Sequence, residues 1–317
     1  MKRSREAERI ALLRSHLAPA GALLPPGVAL GIGDDAAVLA TDGRSLVWTV
    51  DAQIDGTHFR TDWASWEDVG WRSYMAAASD LAAMGAEPYA ALSALALAPS
   101  VSDDDLEALA RGQASAAAIV GAPVVGGNLS RATETSITTT VLGRVTKPLL
   151  RSGARPGDGV WLAGPVGMAA AGLEALSKNK VQDASVDAFV RAWRRPVARI
   201  AEGLRAAGHA SAAIDVSDGL SKDALHVAEA SNVCIVLEEK ALEDVSAGAS
   251  LAHALHGGED YALLVTSAHA LDDAGFVRIG SVEAYEGSGA RLVLATRGPA
   301  GTSRSDLTPQ GFDHFAK

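Results

Sequence analysis

The sequence predicts a chain of two domains, each mixing strands with helices. Three observations predict it. At 317 residues the chain exceeds the usual size of a single core. Strand-like and helix-like segments recur through both halves. Between them lies RSGARPGDGVWLAG (Arg151 to Gly164), a Pro- and Gly-rich connection followed by a new strand. The boundary is expected near residues 146–152; one large α/β domain is the alternative.

The elements follow in order. MKRSREAERIALLRSHL is charged and helical and lacks the apolar stretch and cleavage site of a secretory signal. SLVWTVDA (Ser45 to Ala52) is rich in β-formers and should end as a strand near Asp51. Ser65 then caps a helix, with Asp68 completing a box-like S-x-x-D; the run WEDVGWRSYMAAASDLAAM stops at Gly85, which puts Asp80 near its last turn. Negative charge is unfavourable at that end of a helix dipole, and a metal-bound aspartate is easier to rationalise there than a free one. A second capped helix begins at Ser102, with Asp103 to Asp105 in its first turn. APVVGGN (Ala122 to Asn128) reads as a glycine turn and SITTTVLGRV (Ser136 to Val145) as a long strand. The second half reads as a helix after Gly167, one from about Val186 to Ala207, the strand-turn-helix AIDVSDGLSKDALHVAEA, and strands at Val233 to Glu238, Tyr261 to Thr266 and Phe276 to Val282.

Composition narrows the function. Hydrophobic residues at 48% and charged residues at 21% describe an ordinary globular protein. A net charge of -10 argues against a sequence-independent nucleic-acid binder and is compatible with acidic pockets that hold metal ions. The longest apolar stretch, Tyr89 to Pro99, is shorter than the roughly 20 residues a bilayer crossing needs. The single cysteine, Cys234, excludes an intrachain disulfide, reads as a buried strand position and fits a reducing cytoplasm.

The chemistry lies in repeated aspartates. GIGDDAA, TVDAQIDGTHF, ASDLAAMGA and AIDVSDGL each set an aspartate beside glycine or a small residue at the end of an expected element. Two carboxylates about 4 Å apart repel by roughly 4 kcal/mol at an effective dielectric near 20, so Asp34 and Asp35 call for water or a cation. Residues two apart on a strand share a face, as Thr49 with Asp51 and Asp215 with Ser217 would. Oxygen ligands of this kind suit Mg²⁺, and several ions would relieve the repulsion among Asp34, Asp35, Asp51, Asp80, Asp215 and Asp218. Each aspartate alone also reads as a turn or cap. There is no G-x-x-x-x-G-K-[ST], GPVGMAAAG lacks a dinucleotide spacing, and neither G-x-S-x-G nor H-E-x-x-H occurs. In HGGEDYALL, Glu259 is either a ligand contact or a satisfied turn residue. His58 could touch an anion or serve structure, and Arg151 could meet a phosphate or lie in solvent. The terminal GFDHF suggests docking over a pocket.

GIGDDAA, SDLAAMGAEP, RSGARPGD, D-x-SDGL, GGEDY and GFDHF, in this order, resemble the thiamine-monophosphate kinases, of the superfamily that includes aminoimidazole ribonucleotide synthetase, selenophosphate synthetase and a hydrogenase maturation factor. The resemblance implies an α+β fold of aminoimidazole ribonucleotide synthetase-like architecture: residues 1–148 an N-terminal ATP- and Mg²⁺-binding dimerisation domain, residues 149–317 a C-terminal domain completing the ATP and substrate site. It implies transfer of the γ-phosphoryl group of ATP to thiamine monophosphate, assisted by several Mg²⁺ ions, in a homodimer with neither nucleic-acid nor membrane partners. Asp35, Thr49, Asp51, Asp80, Asp215 and Asp218 would hold the metal, with Asp34 a neighbour. Gly127, Arg151 and Ser217 would meet ATP, and His58, Glu259 and Phe312 would line the thiamine-phosphate site. No catalytic base is expected, because the acceptor phosphate is already ionised. Two departures stand out: Asn128 replaces a metal aspartate, retaining an oxygen and losing a charge, and Val50 replaces a threonine. The alternatives are a related enzyme with another acceptor, or a non-catalytic sensor of ATP or thiamine phosphate.

Overall fold

The computed structural model describes residues 15–16, 28–30, 38–39, 43–179, 184–299 and 301–312. Asp34, Asp35 and the last three residues of GFDHF lie outside the described residues. The chain divides into two units, Met1–Leu81 with Glu87–Thr146 and Ala82–Ala86 with Lys147–Lys317.

In the first unit β1 (Val28–Leu30) pairs with β2 (Val38–Leu39). There follow β3 (Ser45–Ile54), α1 (Trp66–Ala83), β4 (Glu87–Leu97), α2 (Asp103–Val120), β5 (Val124–Arg131) and β6 (Ser136–Val145). The last four strands form a sheet in the order β3-β6-β4-β5, with β4 and β5 parallel and the other pairs antiparallel. A parallel pair needs a crossover, which α2 supplies. Both helices begin where local chemistry starts them. The Ser65 hydroxyl accepts from the Asp68 amide at 3.2 Å, and Ser102 with Asp105 forms a full capping box. Gln113 is buried and donates to Ser93 of β4 at 3.0 Å and to Ser73 of α1 at 3.4 Å, tying the helices to one face of the sheet.

Two expectations change. The glycines of APVVGGN continue β5 rather than turn, because a Cβ on Gly127 would lie 1.8 Å from the Ser93 carbonyl oxygen; the residue serves strand contact. β3 runs three residues beyond Asp51, to Ile54, paired throughout with β6. The apolar stretch after Glu87 is β4, buried at every other position from Ala91 to Leu97.

The second unit contains β7 (Gly159–Ala163), α3 (Met168–Ser177), α4 (Asp187–Arg194), α5 (Ile200–Ala206), β8 (Ala212–Val216), α6 (Leu220–Ser231), β9 (Val233–Glu238), α7 (Glu239–Val245), α8 (Leu251–His256), β10 (Ala262–Ser267), β11 (Val277–Ala284), β12 (Leu292–Gly298) and β13 (Gly301–Asp306). The sheet order is β13-β12-β9-β11-β7-β10-β8. Alternate residues of β7, β8 and β10 enter two different apolar clusters, one containing Leu162, Ile214 and Leu264 and the other Trp161, Ala213 and Leu263. Both sides of these strands are therefore covered, which explains their uninterrupted apolar runs. The helix expected from Val186 to Ala207 is two helices. Pro196 offers no N–H and disfavours helical backbone at Arg195, so the chain breaks between α4 and α5.

Candidate active site

Within the first unit, pairing sets Asp51 opposite Thr139, Thr139 opposite Ser93, and Ser93 opposite Gly127. These four share one face of the sheet, the face Gln113 ties to the helices. Thr49 lies on the same face and its hydroxyl donates a very short hydrogen bond to the Asp80 carboxylate in the last turn of α1. The Gln53 amide donates to Asp51 at 2.9 Å, and Arg72 donates to Gln53 at 3.4 Å. The buried Thr139 hydroxyl has no hydrogen-bond partner among the described residues. Two half-buried carboxylates, a threonine hydroxyl bonded to one of them and an unpartnered hydroxyl opposite the other make an oxygen-only donor set. That is the chemistry a hard cation such as Mg²⁺ takes.

Asn128 is not part of that set within one chain. It pairs through Ala94 and Thr138 to Ala52, which places it on the face opposite Asp51 and three strand spacings, about 14 Å, from β3. Val50 lies on that opposite face too and is 63% exposed. His58 closes the turn after β3, its Nδ1 accepting the Ile54 amide at 3.1 Å, so this nitrogen has a structural partner.

In the second unit β10 runs antiparallel to both β7 and β8, so the ends of β7 and β8 and the start of β10 meet at one edge. Three loops gather there: residues 164–167, 217–219 and 257–261. Asp215 is buried near the end of β8. Ser217 lies beyond the strand, so it does not share a strand face with Asp215. Its carbonyl accepts the Glu259 amide at 2.7 Å, and a Cβ on Gly258 would fall 2.6 Å from the same oxygen. Glu259 and Tyr261 both adopt left-handed backbone, φ +67° and +49°, an arrangement that neighbouring contacts must hold. The Trp193 indole N–H supplies one such contact, donating to Glu259 Oε2 at 2.8 Å. Asp260 accepts the Gly167 and Ala169 amides, the latter at 2.9 Å, and fixes the start of α3. Burial pushes its carboxyl up to about 7, against the opposing effect of those amides.

Asp218 is paired with Lys222, Nζ to Oδ2 at 2.6 Å, one helical turn on. The same ammonium donates to the Phe312 carbonyl at 2.7 Å, and the Phe312 amide donates to the Asp218 carbonyl at 3.0 Å. The C-terminal segment is thus strapped across the loop, with the Phe312 ring 46% exposed. Asp223 accepts the Asp218 and Gly219 amides at 3.2 and 3.1 Å, and burial pushes it up to about 7. Arg151 stands elsewhere. Its carbonyl accepts the hydroxyl of Ser231 at the end of α6, and neighbouring Leu150 meets Ala213 at the start of β8, four residues or about 13 Å from Ser217.

Asp51 with Asp80, and Asp215 with Asp218, thus belong to separate units. Among the described residues no three His, Cys, Asp or Glu side chains are gathered closely enough to hold a metal by themselves. Lys222, Asp223, Asp260 and Trp193 were not singled out in the sequence. The i,i+4 spacing of Asp218 and Lys222 is a usable signal, whereas nothing local links Trp193 to Glu259, 66 residues away.

Comparison with known proteins agrees with this architecture. Residues 33–145 match the family model for the AIR synthase related protein, N-terminal domain. A thiamine-monophosphate kinase of Bacillus subtilis is 35% identical over 253 residues, covering 75% of this chain and 78% of that protein. The crystal structure of the thiamine-monophosphate kinase from Stenotrophomonas maltophilia is similar with a TM-score of 0.76 at 31% identity, covering 88% of this chain and 94% of that one. AaThiL complexed with AMPPCP and TMP gives 0.76 at 29% identity over 98% of this chain and 97% of its own. With its ordered motifs, its two α/β units and these relatives, the chain belongs to the thiamine-monophosphate kinase family.

Proposed function

We propose that this chain transfers the γ-phosphoryl group of ATP to the phosphate of thiamine monophosphate, yielding thiamine diphosphate and ADP. The observation that carries this reading is likeness over 98% of the chain to a structure holding AMPPCP and TMP. An acceptor phosphate oxygen forms the new P–O bond as the bond from the γ-phosphorus to the β-bridging oxygen breaks. The acceptor is already anionic, so no side chain need remove a proton; the chain's task is to align two crowded phosphates.

Residues 1–148 form the ATP- and Mg²⁺-binding, dimerising domain, and residues 149–317 complete the site. Mg²⁺ supplies neutralisation of the phosphate charges when bound. Thr49, Asp51 and Asp80 would hold it in the first unit, Asp215 and Asp218 in the second, and Asp34 and Asp35 complete the set. Asn128, on the opposite sheet face, would hold an ion apart from that set through its amide oxygen. Gly127, Ser217 and Arg151 meet ATP. His58, Glu259 and Phe312 line the acceptor site, where the bond from Trp193 holds the Glu259 carboxylate.

The chain acts as a homodimer. Leu46, Trp48, Val50 and Leu92 stand on the uncovered face of the four-stranded sheet, Trp48 72% exposed, and a second copy would bury them. The reaction is placed in the cytoplasm, in keeping with a lone, buried and unpaired Cys234. Among the described residues no helix is long and apolar enough to cross a membrane.

Purified protein with ATP and Mg²⁺ should convert thiamine monophosphate, and not thiamine, to thiamine diphosphate resolved by chromatography. Absence of product alongside intact ATP binding would redirect the reading to another acceptor or to a sensor. Sedimentation should give twice the chain mass, and Trp48→Asp should lower it to one.

A further inference from the structure

Arg199 is a cation at the loop cluster of the second unit to which neither motif nor resemblance gives a role. It follows the break at Pro196 and precedes α5. Its guanidinium packs against Gly164, just past the end of β7: a Cβ there would fall 2.5 Å from Nε and 2.8 Å from Cζ and Nη2. Only a glycine leaves the fork this place. Among the described residues its buried Nε atom meets no hydrogen-bond partner, while the residue as a whole is half-buried.

Among the described residues no carboxylate forms an ion pair with it. Burial lowers the guanidinium's pKa, and the charges of Glu202 and Asp260 act in the opposite direction. Asp260 is a poor counter-ion because its oxygens already accept the Gly167 and Ala169 amides. Glu202 engages Arg205 at 3.3 Å. Gly164 opens the loop whose Gly167 amide donates to Asp260, so the guanidinium packed on Gly164 belongs to the same loop cluster as Glu259. A partly desolvated guanidinium, with several N–H donors fixed in one plane, matches the oxygens of a phosphate. Asp215, Asp218 and Glu259 would repel that group without a cation beside them.

We infer that Arg199 binds the phosphate of the acceptor, thiamine monophosphate, and lets the site distinguish it from thiamine. The inference rests on the kinase reading. The acceptor is favoured because Arg199 shares the loop cluster that holds Glu259, while Arg151, assigned to ATP, stands at the far end of β8; Ser217, also assigned to ATP, borders the Glu259 loop, which makes the nucleotide the competing ligand that the AMPPCP titration separates.

Calorimetric titration with thiamine monophosphate, thiamine and AMPPCP tests it. Wild-type protein should prefer the monophosphate to thiamine. Arg199→Met should weaken the monophosphate by about 10- to 100-fold, the scale of charged hydrogen bonds, and leave thiamine and AMPPCP within about twofold. Arg199→Lys, which keeps the charge and loses the fork, should lie between and carries the test if the methionine variant does not fold. Equal losses for thiamine and its monophosphate would mean a structural role, and a loss confined to AMPPCP a nucleotide contact; either overturns the inference, as does an undiminished preference for the monophosphate. Wild-type protein that fails to bind the monophosphate overturns the kinase reading itself.

Discussion

Gly127→Ala is the substitution whose consequence the geometry determines most directly. The added Cβ would lie 1.8 Å from the Ser93 carbonyl oxygen, 2.7 Å from its carbon and 3.1 Å from its nitrogen, all backbone atoms of a paired strand. Real Cβ contacts stay above 3.0 Å, so β5 must move about 1.2 Å from β4 and weaken the parallel ladder at that point. Overpacking of this kind costs about 1–3 kcal/mol, and the upper half of the range applies because no side-chain rotation relieves a backbone contact. Restriction of the unfolded chain by alanine returns about 0.4–1 kcal/mol. The net is ~1–2.6 kcal/mol, or about 1.5–4 °C in Tm at this chain size. Because Gly127 is assigned to ATP, the KM for ATP should rise as well. Gly121→Ala is the control: its φ is +83° and the space around it is empty, so it should cost about 1 kcal/mol from backbone strain alone and leave the KM for ATP unchanged. Scanning calorimetry and steady-state kinetics on both variants decide it. A Gly127→Ala protein with wild-type Tm and KM would refute the close approach and its connection to nucleotide binding.

Other substitutions probe separate parts of the site. Trp193→Phe removes the indole donor to Glu259, a charge-assisted bond of about 1.5–3 kcal/mol, and should raise the KM for thiamine monophosphate about tenfold or more with little change for ATP; equal changes in both would contradict the positioning role. Asp260 has a folded pKa of about 7 against an ordinary 3.8, so between those values the folded chain binds a proton the unfolded chain has released, and rising pH removes stability at up to ~1.4 kcal/mol per unit. The stability of wild type relative to Asp260→Asn should therefore fall from about pH 4 to 7 and level off above; a difference independent of pH would contradict the burial argument. Asn128→Asp should lower the Mg²⁺ concentration at half-maximal rate, and no change would mean that this position does not limit turnover.

What could be read in the sequence was local. Ser65 with Asp68 and Ser102 with Asp105 announce their helices through bonds spanning three residues, and the β-branched run of β6 matched its expected limits from Ser136 to Val145. The glycine pair at 126–127 misled because what it accommodates, the Ser93 backbone, is more than 30 residues away. Pro196 carried its signal openly, yet the helical pattern on either side concealed the break. At the site, the Thr49–Asp51 alternation and the acids near element ends were legible, whereas Arg199 against Gly164 and Trp193 on Glu259 arise from tertiary packing. The strand face of Asn128 likewise depended on register, which no spacing within VVGGN could establish.

Phosphoryl transfer to a phosphate is tested most directly by following the label from γ-³²P-ATP with thiamine monophosphate, thiamine or neither present. Label should appear in thiamine diphosphate alone, only with the monophosphate and Mg²⁺, and none should be retained covalently on the protein. Label in another acceptor, or on the protein as an intermediate, would contradict it.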